Sequence, residues 1–416
     1  MLDVLLTDNE KEIKYKVRKV IKTIPPSMLR KMDQEEIQYP TNFIKDLAKQ
    51  HLLGVRFPVE FGGLGLSWVA ESAVIEEVGT LGPALGCLYS LPSIVGEAIN
   101  HFVSQEQKKK YLLPILEGKL YTAEALTEPR GGSDFFGATC TAEKHGDSYI
   151  LNGQKRFVVG AEGAEIFLVY AKTDQKASDP RTSISTFLIE RVSGVEVKHV
   201  YGLMGSRGGG TGRLVFENVE IPEENLIGEL NAGGEIFNQM MIPERMTSAA
   251  GAIGAARAGL RVAGKYSSRR KAFGRPIRKF QAVSFKIAES VTLLDAASSL
   301  LFTTSRTIDQ KKGLTSGIIR RLVSETKKFA TDSAWNVINH AMQILGGIGY
   351  TNVYPIERLL RDIRLMSIWT GTNEIMSLLI QHEYYKEISK SDPNFEARDV
   401  ENDATGAEYT EEKVYE

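Results

Sequence analysis

The residues with the clearest chemical potential lie at the start of a helix-forming stretch, where Pro243 precedes Glu244 and Arg245. The stretch continues through small residues at 249–252 and 255–256, and their helical spacing lets a neighbouring helix or a ligand approach closely. A carboxylate that loses water must find a partner or take up a proton, so Glu244 is a candidate proton acceptor. The alternative is a solvated glutamate on a helix surface.

Metal and disulfide chemistry are not indicated by the remaining reactive residue types. The chain has two cysteines, Cys87 and Cys140, far apart and without a CxxC pair, and its six histidines lack metal-ligand spacing. This cysteine usage predicts a reducing compartment. The first residues are acidic where a signal peptide is basic, and no apolar run approaches the ~18 residues of a membrane span. We therefore expect a cytoplasmic protein with no membrane span and no metal.

Length and charge limit the function classes further. A chain of 416 residues predicts about two to three domains, and 42% hydrophobic with 25% charged residues is ordinary for a globular protein. Fifty-one basic and fifty-two acidic residues leave a net charge of −1, which gives no bulk attraction for nucleic acid or an anionic membrane. Local sites must therefore provide any anion binding.

The elements that position these residues fall into regions of different pattern, beginning with residues 1–120, which we predict to be a helical domain. Apolar spacing predicts a first helix through Ile13 and Ile21, ended by Pro25-Pro26. A second helix is predicted through Phe43 to a C-cap at Gly54. Further helical patterns cover about 68–79 and 92–117.

Residues 121–232 have the pattern of a β domain. Short β-branched runs, typical of strands, occur at 149–151, 157–159, 166–170, 186–189, 195–197 and 214–216. Asn152-Gly153 predicts a hairpin. Strands this close together, with no helix between them, predict an antiparallel barrel or sandwich.

Helical spacing returns in residues 233–388, broken by loops at 273–276 and 345–349, and is long enough for a bundle of four or more helices. Residues 389–416 are acidic and predict a flexible tail. The predicted fold class is thus α+β: an N-terminal helical domain, a central antiparallel β-barrel or sandwich domain and a C-terminal four-helix bundle.

Five motifs, in this order, resemble the acyl-CoA dehydrogenase family over about residues 8–388. They are EFGGLG at 60–65, LTEPRGGSD at 126–134, LNGQK at 151–155, YSSRR with FGRPI and FQ within 266–281, and QILGGIGY at 343–350 with Arg361-Asp362. The resemblance implies an acyl-CoA substrate, FAD as cofactor and an electron-transfer flavoprotein as the electron acceptor. It also implies a homotetramer built as a dimer of dimers.

The resemblance further implies two sets of FAD-binding residues. Leu126 and Thr127 would hydrogen-bond the polar edge of the flavin, and Ser133 would lie near both cofactor and CoA, although a capped turn also explains Ser133. The second set corresponds to positions that hold the pyrophosphate and adenine, partly from a neighbouring subunit: Arg270, Phe273, Gln281, Gln343, Gly346, Gly347, Thr372 and Glu374. Plain core packing explains Phe273 equally well, and Glu374 departs from a Gln often found there.

The assignment of the catalytic base rests on departures from the family pattern. Thr370 stands where much of the family has its catalytic Glu, and Thr has no basic oxygen near neutral pH. Isovaleryl-CoA and long-chain acyl-CoA dehydrogenases instead carry a Glu-Arg pair on the first helix of the bundle, where Glu244-Arg245 stands. The resemblance therefore implies Glu244 as the base, with the backbone N–H of Thr370 facing the thioester oxygen. We expect Glu124 to point away, because strand alternation places it opposite Thr127.

Other departures concern the flavin and the substrate. Phe157 replaces a family Trp against the flavin, and Val159 replaces a Thr. Residues 86–92 correspond to the segment that lines the acyl cavity and contain no Arg for a distal carboxylate, so we expect an apolar acyl group that is branched, cyclic or long. The expected substrate contacts are Tyr89, Ser90, Ser133, Arg245 and Gly371.

Three other functions remain open at this point. The first is an enoyl-CoA reductase, and the second is a flavin oxidase or monooxygenase of the same superfamily. The third is a non-catalytic protein that binds acyl-CoA or FAD. The retained Glu244 and the Thr370-Gly371-Thr372 turn favour proton abstraction next to a thioester.

Overall fold

A computed structural model of the chain describes residues 3–310 and 317–389. The predicted tail beyond Ser389 lies outside the described residues. The helices before the sheet are α1 (Asp8–Ile21), α2 (Pro26–Asp33), α3 (Thr41–Lys49), α4 (Trp68–Gly79), α5 (Pro83–Phe102), α6 (Gln105–Gln107) and α7 (Leu113–Leu116). None of the described helices is long and apolar enough to cross a membrane.

Two helix boundaries differ from those predicted by the sequence. Helix α3 ends at Lys49 and does not reach Gly54. Leu52 is buried in the core from the loop that follows the helix, and Gly54 lies in a later turn with φ 66°. Helix α5 begins at Pro83 and passes through Pro92, whereas we predicted a start near residue 92. Most of its side chains are buried, so tertiary packing outweighs the hydrogen bond that Pro92 cannot donate.

The central part is one eight-stranded sheet. Its strands are β1 (Thr122–Ala125), β2 (Thr141–His145), β3 (Ser148–Val158), β4 (Ile166–Lys172), β5 (Ile184–Glu190), β6 (Val195–Val200), β7 (Gly212–Pro222) and β8 (Leu226–Ile227). The order is β6-β7-β3-β2-β4-β5-β8, with β1 also paired to β4. Most neighbours are antiparallel, but β1 and β2 both run parallel to β4, which a purely antiparallel prediction did not include.

The predicted hairpin at Asn152-Gly153 is wrong. Strand β3 runs straight through both residues, and the turn lies earlier, at Gly146 (φ 60°), between β2 and β3. Gly153 (φ 136°) instead forms an irregularity in the pairing with β7, where a Cβ would lie 2.8 Å from the Cα of Cys140. Glycine is therefore needed here for close approach within the sheet and not for a turn.

The C-terminal part is a helix bundle around one very long helix. Its elements are α8 (Gly233–Arg269), β9 (Lys271–Ala272), β10 (Arg275–Pro276), α9 (Gln281–Gln310), α10 (Gly317–Leu345), α11 (Ile356–Arg364) and α12 (Asn373–Ile388). Helix α8 packs against α4 and α5 of the first part and against α9 and α10 of the bundle. It therefore joins the N-terminal helices to the bundle.

The contact between α8 and α4 depends on glycine. A Cβ on Gly79 would lie 2.6 Å from the carbonyl oxygen of Gly251, and a Cβ on Gly254 would lie 2.1 Å from that of Glu76. These distances allow no side chain, because the neighbouring atoms belong to the backbone. The small residues predicted to allow close approach thus bring α4 against α8, which carries Glu244.

We predict that Gly254→Ala lowers the free energy of unfolding by ~1–3 kcal/mol, because the two helices must separate to admit the methyl group. The matched control is Gly264→Ala on the same helix, where no atom lies within 4 Å of the new Cβ. The control should be neutral or stabilising by up to ~1 kcal/mol. Urea unfolding measures both variants, and equal midpoints for the two would contradict the prediction.

Candidate active site

A cavity of about 1110 Å³ lies where the N-terminal helices, the sheet and the bundle meet. Its wall is built from several elements, with Ser90 from α5, Glu124 from β1, Phe157 from β3, Glu244 from α8 and Thr370 from the loop before α12. Pockets for single small ligands are usually ~300–1,000 Å³, so this one has room for more than one ligand group.

Glu244 points into this cavity from α8, one residue after Pro243, which lies inside the helix. Burial raises the pKa of Glu244 above its usual value. A hydrogen bond with Glu124 and the positive charge of Arg245 oppose this shift. A carboxyl group in such a place is a stronger proton acceptor, once ionised, than one in water.

Arg245 is buried beside Glu244. Its Nη1 donates to the Ser324 hydroxyl at 3.1 Å, and its Nε is buried without a partner among the described residues. Burial lowers the pKa of Arg245 to about 10, and the negative charge of Glu244 opposes this shift. The guanidinium therefore stays charged at neutral pH and provides a positive charge next to Glu244.

The turn at residues 370–372 faces α8 across the cavity. Thr370 has φ 52° and Gly371 has φ 85°, so both adopt the left-handed backbone conformation, which is strained for threonine. The Thr370 hydroxyl lies 3.2 Å from that of Ser248 on α8. The Thr370 N–H has no acceptor among the described residues, and Thr372 caps α12 by accepting from the N–H of Ile375.

A buried lysine holds this turn. Lys327 on α10 is fully buried and donates to the carbonyl oxygen of Gly371 at 2.7 Å and to Asn373 Oδ1 at 2.9 Å. Burial lowers its pKa to about 7, and the charge of Arg245 adds to the effect. The position of the turn therefore depends on a side chain that no sequence pattern singled out.

The loop after β1 is also anchored by a buried ion pair. Lys155 on β3 donates to Glu128 Oε1 at 2.8 Å and to the Leu126 carbonyl at 3.4 Å, and both charged side chains are buried. The N–H of Arg156 donates to the Thr127 carbonyl at 2.8 Å. These bonds fix Leu126 and Thr127 on the cavity wall, and Ser133 also lines it.

Flat and hydrogen-bonding surfaces near this loop fit a flavin. Phe157 and Val159 both line the cavity, and Phe157 is held at φ 58° with half of its surface exposed and its ring 4.9 Å from Tyr201. Trp369 lines the same region, and its Nε1 is buried without a partner among the described residues. Unpaired buried donors such as this one and Arg245 Nε fit a ligand rich in acceptors.

Thr372 of the second predicted FAD set lines the cavity, but most of that set lies elsewhere on the chain. Arg270, Gln281, Gln343, Gly346 and Gly347 are exposed, and Phe273 is 95% exposed. These residues follow α8, begin α9 and end α10, around the small core that includes Ala263 and Ile344. None of the six is among the residues lining the cavity, and Glu374 is likewise exposed, in the first turn of α12. Plain core packing of Phe273 is therefore wrong.

Two expectations about the cavity wall need correction. Tyr89 does not line it, because its ring is buried in the core and its hydroxyl donates to the Leu52 carbonyl at 2.6 Å. Glu124 does line it, contrary to our expectation, together with Thr127. Strand β1 ends at Ala125, so alternation along the strand does not extend to Thr127 and cannot place Glu124 on the opposite face.

Matches to family models cover nearly all of the described chain. The acyl-CoA dehydrogenase N-terminal domain matches residues 7–119, the middle domain residues 123–219 and the C-terminal domain residues 231–384. The chain therefore belongs to the acyl-CoA dehydrogenase family. This confirms the predicted family and its fold of helical, β and helical parts, and makes the chain an FAD-dependent oxidoreductase, as predicted.

Two curated relatives illustrate the range within the family. The chain is 36% identical over 351 residues to the 3-(aryl)acrylate reductase of Clostridium sporogenes, which covers 84% of this chain and 91% of that protein. It is 34% identical over 388 residues to the mitochondrial isovaleryl-CoA dehydrogenase of Oryza sativa subsp. japonica, with 92% and 93% covered. One of these relatives is named a reductase and the other a dehydrogenase, so their names describe reactions in opposite directions.

Solved structures share the whole fold. A chain of the structure described as the electron transferring flavoprotein of Acidaminococcus fermentans has a TM-score of 0.86 and 32% identity, covering 92% of this chain and 99% of that one. The FAD complex of PigA has a TM-score of 0.84 and 27% identity, with 91% and 98% covered.

The lowered pKa of Lys327 gives a pH-dependent prediction. Between about pH 7 and the usual lysine value near 10, the folded protein holds Lys327 neutral while the unfolded chain holds it charged. The unfolded state then binds more protons, so this residue makes the protein more stable as pH rises through that range. In Lys327→Met this contribution is absent. The melting temperature of the wild type minus that of the variant should therefore increase between pH 7 and pH 9. Parallel curves would contradict the assignment.

Proposed function

We propose that this chain catalyses the α,β-dehydrogenation of an apolar acyl-CoA thioester, with Glu244 as the base and an electron-transfer flavoprotein as the electron acceptor. The observation that carries the proposal is a half-buried glutamate in the wall of a large cavity that the Thr370 turn and the Leu126–Thr127 loop also line. A glutamate at this place also matches the family members that lack the usual catalytic Glu before Gly371.

The reaction begins at the α carbon. Glu244, as a carboxylate, takes the α proton, and the electron pair of the broken C–H bond moves toward the thioester carbonyl. The developing negative charge on the thioester oxygen needs a donor, and the unpaired N–H of Thr370 supplies one from a turn held by Lys327. Loss of the Glu side chain at position 370 therefore does not remove this oxyanion site.

The chemistry that FAD supplies when bound is two-electron oxidation, with hydride from the β carbon as the transferred group. The chain's own residues hold the reacting atoms in place. Leu126 and Thr127 offer backbone and hydroxyl groups to the flavin, and Phe157 and Trp369 bound the same region. The similarity to a structure described as an electron transferring flavoprotein supports a protein of that kind as the partner that removes the electrons.

The mouth of the cavity suits the phosphates of CoA. Arg181, whose side chain is 74% exposed, and Arg320 both line the cavity, and a guanidinium matches phosphate oxygens in a two-pronged geometry. Arg181 is held by Asp179 and Arg320 by Glu383, so both heads are oriented before a ligand arrives. Ser133 also lines the cavity, which supports the role in CoA binding that we propose for it.

The acyl end of the cavity is bounded by α5. Cys87, Ser90, Leu91 and Ile94 line it, and these residues provide no cation for a distal carboxylate. A distal carboxylate at this wall would lose water without gaining a cationic partner, which disfavours a dicarboxylic acyl group. We therefore keep the proposal of a branched, cyclic or long apolar acyl group.

The exposed second set supports a shared FAD site. Arg270, Phe273, Gln343 and the pair Gly346-Gly347 lie outside the cavity of their own chain, and their exposure leaves them accessible to a second copy of the chain. We propose that these residues hold the pyrophosphate and adenine of the FAD bound mainly by a neighbouring subunit, in a homotetramer. The two free cysteines, Cys87 and Cys140, support a reducing compartment such as the cytoplasm.

A second candidate function is reduction of an aryl-substituted enoyl thioester. Similarity to an arylacrylate reductase favours it, and so do aromatic rings lining the cavity, where Phe135 and Phe237 stack at 3.9 Å. The two functions differ in the direction of one reaction. Mixing the oxidised protein with saturated thioesters, and the reduced protein with enoyl thioesters, shows which half-reaction is faster.

Replacing the base tests the mechanism. Glu244→Gln keeps the shape but loses the proton acceptor, so anaerobic flavin reduction by acyl-CoA should fall by ~10²–10⁴ while acyl-CoA binding stays near wild type. Thr370→Glu in that background should restore part of the rate, with a preference for shorter, straight chains because the new side chain fills the cavity. Flavin reduction at the wild-type rate in Glu244→Gln would mean that the base lies elsewhere.

The acyl group is tested by a panel of thioesters. Isovaleryl-CoA, cyclohexanecarbonyl-CoA, phenylpropionyl-CoA and palmitoyl-CoA represent apolar groups, and glutaryl-CoA represents a distal carboxylate next to Glu124. We expect at least one apolar thioester to bleach the flavin faster than glutaryl-CoA. Fastest turnover with glutaryl-CoA would refute this substrate class.

Arg270 tests the shared FAD site. Arg270→Ala should weaken FAD binding more than Arg270→Lys, because lysine keeps the charge but loses the two-pronged contact with phosphate. Equilibrium dialysis measures FAD retention, and light scattering should report a tetramer for the wild type. A wild-type monomer with a full complement of flavin would contradict the shared site.

A further inference from the structure

Glu124 is a half-buried titratable group that the mechanism does not yet use. It lines the same cavity as Glu244, reaching it from β1 while Glu244 reaches it from α8, and the two carboxyl groups lie in contact with each other. A hydrogen bond between two carboxyl groups requires a proton, because a pair of carboxylates has acceptors only. Such a contact is therefore favourable only when the pair holds at least one proton.

The surroundings decide which carboxyl group holds that proton. Glu244 has the charge of Arg245 beside it, which favours its ionised form. Glu124 has Tyr170 on β4, whose hydroxyl donates to Glu124 Oε1 at 3.0 Å, and no cation is among the groups that act on it. The asymmetry places the proton on Glu124 and the charge on Glu244.

Among the described residues, Cys87 on α5 also interacts with both carboxyl groups, and it does not change this assignment. Burial together with the two carboxyl groups raises the pKa of its thiol, which stays neutral. Burial also raises the pKa of the Tyr170 hydroxyl well above its usual value. Burial and the neighbouring charge of Glu244 raise the pKa of Glu124 well above its usual range, in agreement with the geometry.

We propose that Glu124 is a positioning residue for the base, sharing one proton with Glu244 so that Glu124 donates and Glu244 accepts. This proposal rests on the proposed role of Glu244. The donated hydrogen bond keeps Glu244 ionised although it is removed from water, and it fixes the direction of the carboxylate. When Glu244 takes the α proton, the pair passes from one proton to two, and neither member of the pair then carries a negative charge.

Three variants separate this role from simple packing. Glu124→Gln keeps a donor to Glu244 through its amide but cannot ionise, and Glu124→Leu removes the donor. Glu217→Gln is the matched control, since Glu217 is an exposed carboxylate on β7. All three should retain FAD and the wild-type melting temperature within a few degrees.

The first measurement needs no turnover. An infrared difference spectrum between wild type and Glu124→Gln at neutral pH should show the loss of one protonated-carboxyl stretch, and Glu217→Gln should show no loss. Other buried carboxyl groups with a raised pKa, such as Glu71 and Asp362, cancel in the difference. Identical spectra for wild type and Glu124→Gln would overturn the shared proton.

The second measurement is the pH dependence of anaerobic flavin reduction. Glu124→Leu removes a hydrogen bond to a charged group, so the pH of half-maximal rate should rise by about one unit or more. Glu124→Gln should return that midpoint to within about half a unit of wild type, because its amide still donates to a charged acceptor. A Glu124→Leu profile that matches wild type would overturn the positioning role.

The two measurements also separate this proposal from the one on which it rests. If Glu244→Gln reduces flavin at the wild-type rate while the infrared band is lost in Glu124→Gln, the carboxyl pair exists but Glu244 is not the base, and the positioning role falls. If Glu244→Gln is inactive and the infrared spectra are identical, Glu244 remains the base and the shared proton is disproved. Should Glu124→Leu fail to fold, the infrared comparison with Glu124→Gln still decides.

Discussion

A carboxyl group that is partly removed from water, yet must be ionised to serve as the proposed base, is the feature on which this site depends. Burial raises the pKa of Glu244 and so favours its protonated form. The structure offsets this with a buried Arg245 on the same helix and with a hydrogen bond from the facing strand. Each of these groups comes from an element that is itself fixed by packing, so the state of the base depends on the whole arrangement.

The long helix α8 shows how packing serves this site. Its glycines allow α4 to approach until backbone meets backbone, and its first half carries Pro243, Glu244 and Arg245 along the cavity. Two buried lysines then fix the loops on either side: Lys155 holds the loop after β1, and Lys327 holds the turn at Gly371. Buried polar and charged groups cost free energy unless they are hydrogen-bonded, and here the bonds of both lysines position the backbone groups that would contact the ligands.

Much of the fold could be predicted from the sequence because its signals are local. Helical spacing, β-branched runs and the motifs around Thr127, Arg270 and Gly346 gave the order of elements and the family, and the placement of Glu244 followed from the absence of a glutamate at Thr370. The predictions from sequence were wrong where contacts between distant parts of the chain determine the local structure. Asn152-Gly153 has the local preference of a turn, but pairing with β7 keeps the strand straight.

The side chains that the sequence did not reveal share one property. Each of them acts through a partner that is distant in the chain. Lys155 bonds to Glu128, which is 27 residues away, and Lys327 bonds to Gly371. Glu124 contacts Glu244, which is 120 residues away. A lysine or glutamate in a strand or helix predicts a solvated side chain until its partner is known. Tyr89 is the converse case, since a residue in the correct segment turned its ring into the core.

The most direct measurement of the central claim is proton exchange at the α carbon without oxidation. An acyl-CoA with no hydrogen on its β carbon, such as 3,3-dimethylbutanoyl-CoA, cannot be dehydrogenated, but its α protons can still exchange with D₂O when a base reaches them. The wild-type protein with FAD bound should catalyse this exchange, as followed by NMR, and Glu244→Gln should reduce it to the rate of the solution without protein. Exchange by Glu244→Gln at the wild-type rate would contradict the account.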